Sequence, residues 1–169
     1  MIIKNKAIVA DEWTVLRPDA EEAAENVLVA QGRVIVPMRV WQAQRDTLVQ
    51  RAETGVWLAS DDRPEDLQED IQKFTVIAVD FPKFADGRGY SLAYLLRERL
   101  GFTGELRAIG DVLRDQLYYM QRVGFDSFAL RSDKDMQAAL KGLNDFSISY
   151  QASCDQSQPL FRRAQRGVL

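Results

Sequence analysis

The chain of 169 residues contains no histidine and a single cysteine, Cys154. Without histidine, Ser-His-Asp and Cys-His catalysis, the usual histidine zinc sites and a histidine-ligated haem are excluded. A lone cysteine cannot form an intrachain disulfide, a CxxC redox pair or a four-thiolate cluster. No iron–sulfur cluster or haem is therefore expected on this chain, and no metal site is singled out, although an all-carboxylate magnesium site stays chemically open. Acid–base work would fall to Asp, Glu, Lys or Tyr. No apolar run approaches the roughly 18–20 residues of a membrane-spanning helix. The start Met-Ile-Ile-Lys-Asn-Lys lacks the apolar stretch and cleavage site of a secretory signal. A cytoplasmic protein without a membrane partner is expected. Positive charge is not in excess either: the net charge is −3 and the pI about 5.1, so no global field favours nucleic acid. Internal repeats, low-complexity tracts, a dinucleotide fingerprint and a Walker loop are all missing.

What is present suits one globular domain: 46% hydrophobic and 28% charged residues. Residues 1–33 read as an N-terminal β-hairpin (Met1 to Lys4 with Ala7 to Ala10, extended by Glu12 to Leu16) and an acidic, alanine-rich connection. Residues 34–151 form the core pattern, and 152–169 a polar tail. In the core, β-branched runs alternate with helical spacings. Strands are expected at 34–36, 56–59, 75–81, 106–109, 127–130 and 146–150. Helices are expected at 38–53, 61–73, 91–100, 113–123 and 135–143. The run Thr75 to Phe81 is nearly continuous in apolar residues, as in a strand buried on both faces. The fold class is α/β, alternating strand–helix units with a mainly parallel sheet. It is either doubly wound or a partial β/α barrel, with the small hairpin added. A partial barrel with exposed edges would favour a homodimer.

Ligands of parallel α/β sheets bind outside the carboxyl ends of the strands. Lys83, Arg88, Arg114 and Arg131 all follow strands and are expected on one rim. Among them lies the turn Asp86-Gly-Arg-Gly-Tyr-Ser91. Gly87 and Gly89 would allow positive φ and close approach of backbone to a ligand, and Ser91 would cap the next helix. Arg88 would present a fork to a small anion such as sulfite, sulfate, phosphate or a flavin phosphate. A tight strand-to-helix connection explains the same residues without a ligand. Asp86 and Asp111 are the available bases. Asp80, inside an apolar strand, needs a partner: Lys83, Arg88, Arg107 or a magnesium ion. The tail reads either as a frayed end or as a docking segment anchored by Phe161 and steered by arginines.

The block FPKFADGRGYSLAYLLRERLGFTGELRAIGDVLRDQLYYMQRVGFDSFALR, residues 81–131, closely resembles the bacterial "domain of unknown function 934" family. The flanks DEW at 11–13, VIVP at 34–37, GVWL at 55–58, FSISYQ at 146–151 and PLFRR at 159–163 fit as well. The resemblance supplies no activity. It implies a pathway, since family members are commonly encoded beside assimilatory sulfite reductase and labelled as oxidoreductases of sulfur assimilation. Sulfite reductase is thus the implied partner, with this chain as an accessory that assembles, regulates or supplies it. The catalytic metal centres would belong to that partner.

Overall fold

The computed structural model describes residues 1–163. Its strands are β1 (Ile2–Lys4), β2 (Ala7–Val9), β3 (Thr14–Val15), β4 (Val34–Pro37), β5 (Thr54–Leu58), β6 (Val76–Phe81), β7 (Glu105–Gly110) and β8 (Ser127–Phe128). They form one sheet in the order β2-β1-β8-β7-β6-β5-β4-β3. Strands β3 to β8 are parallel neighbours in chain order, while β1 runs antiparallel to both β2 and β8. A doubly wound sheet reverses its winding at a switch point. No reversal occurs here, so the partial barrel is the alternative realised.

The hairpin explains why the sheet must curl. Strands β2 and β3 occupy opposite edges of an eight-stranded sheet, which laid flat would separate them by about 33 Å. The link from Val9 to Thr14 spans roughly 17 Å at most. The expected extension of the hairpin over Glu12 to Leu16 is therefore corrected: Thr14 and Val15 pair in parallel with Val34 and Ile35 at the far edge. Residues 10–13 act as a strap across the concave face. There Trp13 and Val15 join Ile35, Val76, Ala78 and Ile109 in a small core. The larger core lies on the other face, where alternate strand residues such as Val34, Val56, Ile77, Phe81 and Leu106 meet the helices.

Those helices are shorter than their apolar spacing suggests. They comprise α1 (Met38–Ala43), α2 (Arg45–Leu48), α3 (Arg88–Tyr94), α4 (Leu117–Arg122), α5 (Met136–Gly142) and α6 (Leu160–Arg163). The expected 38–53 helix breaks at Gln44, whose φ is −114°. The expected 61–73 helix is only two 3-10 turns, because Asp62 accepts the Ala59 amide at 2.7 Å and closes a local turn. The expected strand at 146–150 does not form; no neighbour pairs with it. Asp135, expected as the first residue of a helix, instead caps α5, accepting from the Gln137 and Ala138 amides. Among the described residues no helix is long and apolar enough to cross a membrane.

Candidate functional site

The turn after β6 is built differently from its sequence reading. Helix α3 starts at Arg88 with Gly87 at its cap, so Ser91 lies inside the helix and caps nothing. Gly87 has φ −82°, and Gly89 is helical. Neither needs a left-handed backbone. Gly89 matters instead as a point of close approach, since a Cβ there would sit 2.6 Å from the Phe81 ring. The left-handed glycine of this rim is Gly110, at φ 93°. No spacing rule marked it, although a glycine closing a strand is a signal for such a turn.

The rim arginines are each engaged by carboxylates. Arg88 grips Asp86 through Nε and a terminal nitrogen at 3.0 and 2.7 Å, and Ser60 donates to the same carboxylate at 2.8 Å. Arg131 bonds Asp133 at 2.7 Å and Asp111 at 2.9 Å. Arg114 lies across α5, bonded to Asp145 and to the Ala138 carbonyl. Lys83 is exposed and enters no ion pair among the described residues. Arg88, together with Ser60, holds the Asp86 carboxyl well below the usual carboxylate range, which makes it a poor base. Asp111 caps no helix. Its second oxygen accepts the Phe84 amide at 3.0 Å and pins the loop after β6 to the end of β7.

On the concave face, Asp80 finds a partner outside the expected set. Arg17 donates to it at 2.6 Å while lying 5.3 Å over the Trp57 ring, and Trp57 donates to the Leu16 carbonyl. Deeper in that face, fully buried Arg107 bonds Glu105 and the strap's Asp11, with Lys4 closing the network on Glu105 at 2.6 Å. Burial pushes the Glu105 carboxyl up, but Lys4 and Arg107 outweigh it and hold it below its ordinary value. The Arg107–Asp11 pair ties the strap to the sheet, while Lys4 and Arg17 reach their carboxylates from half-exposed positions. Among the described residues no group of three or more Cys, Asp or Glu side chains is placed to hold a metal. Burial, then Glu98, pushes the Cys154 thiol up to about 11, so it is unreactive at neutral pH.

A cluster of exposed apolar side chains lies elsewhere. A groove of about 310 Å3 runs between α4 and the segment after α5, lined by Tyr118, Tyr119, Arg122, Phe146, Ile148 and Tyr150 among others. Tyr119, Phe146, Ile148, Tyr150 and the nearby Phe161 are each about 60% exposed. The stretch Phe-Ser-Ile-Ser-Tyr that suggested a strand is present as an irregular segment with bends at Ser147 and Tyr150. Its apolar side faces outward, and Ser149 turns in to the Tyr118 hydroxyl. Arg122 donates to the Gln151 carbonyl, Ser153 to the Arg122 carbonyl, and Leu160 to the Tyr150 carbonyl. The stretch 150–163 is therefore fastened to α4 rather than frayed, and the rest of the tail lies outside the described residues.

A singly wound, strap-closed β/α half-barrel whose arginines Arg88, Arg114 and Arg131 hold carboxylates, and which opens an aromatic groove, is an α/β protein. Its residues 55–161 match the family model for bacterial proteins of unknown function (DUF934), and the chain belongs to that family. The N-terminal strap and β4 lie outside the matched span. No curated protein and no solved structure matches the chain.

Proposed function

We propose that this protein works by docking to another protein, as an accessory of assimilatory sulfite reduction, and not through chemistry of its own. One observation carries the reading: five large apolar side chains cluster around the α4 groove, each about 60% exposed. Together they present on the order of 600 Å2 of surface, at the top of the range found on monomers and typical of an interaction site. The state of the rim agrees with it, since Arg88, Arg114 and Arg131 already hold carboxylates. The sulfite reductase partner rests on the family resemblance.

Tagged protein should retain sulfite reductase from a bacterial lysate, and a Phe146→Ala/Tyr150→Ala variant should lose it. If the wild type retains no reductase and a deletion strain grows normally on sulfate as sole sulfur source, the reading fails.

A second reading keeps a small anion at the rim. Among the described residues Lys83 has no carboxylate partner, and Arg88 and Arg131 are 62% and 43% exposed in their side chains. Sulfite, sulfate, phosphate or flavin phosphate would displace Asp86 or Asp133 from its arginine. Thermal stabilisation by one of these anions, diminished in Arg88→Ala, is the expected result; no shift with any of them removes this reading.

A further inference from the structure

A stretch at the other end of the strand order has the opposite character to the aromatic groove. Asp19, Glu21, Glu22 and Glu25 are exposed and enter no ion pair among the described residues. Leu28 follows them with 89% of its surface exposed, the most open of the large apolar side chains described. This stretch is held in place. Arg39 donates to the Asp19 and Glu22 carbonyls, Gln44 donates to the Ala24 and Val27 carbonyls, and Val27 is buried. Acidic side chains and an apolar anchor are thus presented on an ordered loop, so little entropy remains to be lost on binding.

The groove offers the complement. Its lining is largely aromatic and holds no carboxylate, while the Arg122 in it is buried, bonded to the Gln151 carbonyl and 3.9 Å from Asp155. Arg162, on α6 beside it, is exposed and has no carboxylate partner among the described residues, whereas Arg163 is half-buried and donates to the Ser149 carbonyl. The other acidic stretch, around Asp61, Asp62, Glu65, Asp66 and Glu69, carries no exposed large apolar residue to anchor it. The Asp19-to-Leu28 stretch packs on α1, which follows β4, whereas the groove lies on α4, which follows β7. A chain does not fill its own groove.

From these features we infer that the groove receives the 19–28 stretch of a second copy of this chain. Leu28 sits among Tyr119, Phe146 and Tyr150, and the carboxylates face Arg162. The inference rests on the reading of the aromatic face as a docking surface and names its occupant. Exchanged reciprocally about a two-fold axis, the contact covers both grooves, and the two patches alone come to roughly 1,200 Å2, the lower end of stable interfaces. Self-association then competes with docking of any other protein at the same face.

Sedimentation of the full chain over a concentration series tests this. The expected result is association at low salt that weakens at about 1 M salt, where charges are screened within about 3 Å. Leu28→Glu and Tyr150→Ala/Phe161→Ala should each weaken association at least tenfold. These side chains are exposed, so the fold is not at risk. An equimolar mixture of the two variants should regain a heterodimer, because one contact stays intact. A chain monomeric at every concentration, or association that Leu28→Glu leaves within twofold, overturns the inference. A monomer that still retains sulfite reductase overturns only the second-copy occupant. A dimer built on this contact that never retains the reductase overturns only the accessory reading.

Discussion

Gly110 ends β7 at φ 93°, and a Cβ there would sit 2.4 Å from the Phe81 carbonyl oxygen and 2.7 Å from an Asp80 carboxylate oxygen. Both the backbone region and the space exclude a side chain. Gly110→Ala should therefore destabilise the fold by about 2–4 kcal/mol, through backbone strain plus displacement of β6. Urea denaturation would measure it, and a loss under about 1 kcal/mol contradicts this account. Asp70 is a second residue whose surroundings set a measurable property. Arg45 first, then Lys73 and Trp41, hold its carboxyl down, to about 2 from an ordinary 3.8. Its folded value lies below its unfolded one. Its contribution is complete above about pH 4 and is lost as pH falls through about 2. Stability measured from pH 5 down to 2 should fall less steeply in Asp70→Asn than in the wild type, and equal slopes would count against the assignment.

Among the elements, the β1–β2 hairpin turns on Asn5 and Lys6, both left-handed at φ 49° and 62°. A two-residue turn of this kind favours Asn followed by Gly. Lysine at the second position bears a Cβ penalty that glycine lacks. Lys6→Gly should raise stability by about 0.5–1 kcal/mol, visible as a higher urea midpoint; a fall would mean that the Lys6 side chain makes a contact worth more than the turn strain. Helix α3 shows a different adjustment. It runs on into a π-helical turn, Leu95–Arg99, that sets Arg97 over the Phe102 ring. From there the guanidinium bonds the Phe102, Gly104 and Gly124 carbonyls and Asp126. One wide turn thus satisfies three loop carbonyls that would otherwise lack partners.

Across the whole molecule, order is unevenly distributed. Strands β6 and β7 are paired along six residues in the middle of the sheet and are buried on both faces, whereas residues 144–159 carry almost no backbone ladder. Hydrogen exchange should be slowest at Val76 to Val79 and Leu106 to Ala108 and fast over 144–159. Protection of 144–159 that appears only at high protein concentration would be the signature of a second copy covering the groove. Uniform protection along the chain would contradict the structure. The same unevenness places the open aromatic surface on the least regular part of the fold, where side chains can be repositioned without disturbing the sheet.

The sequence by itself determined the elements whose signals are local. The buried run of β6, the parallel alternation from β4 to β8 and the hairpin follow from periodicity and turn chemistry. It also excluded histidine and multi-cysteine chemistry outright, because composition needs no fold. The tertiary structure decided what depends on distant partners. Thr14 and Val15 cross to the far edge because pairing there buries Trp13 and Val15 on the concave face. Asp80 takes Arg17, 63 residues away, a choice no spacing encodes. Arg88, Arg114 and Arg131 are paired with Asp86, Asp145 and Asp133, partners that no local signal names. Phe146 to Tyr150 has the alternation of a strand in its sequence but bends in the fold, with no neighbour to pair with. Periodicity specifies which side chains share a face; only the packed sheet decides whether that face meets a core or water.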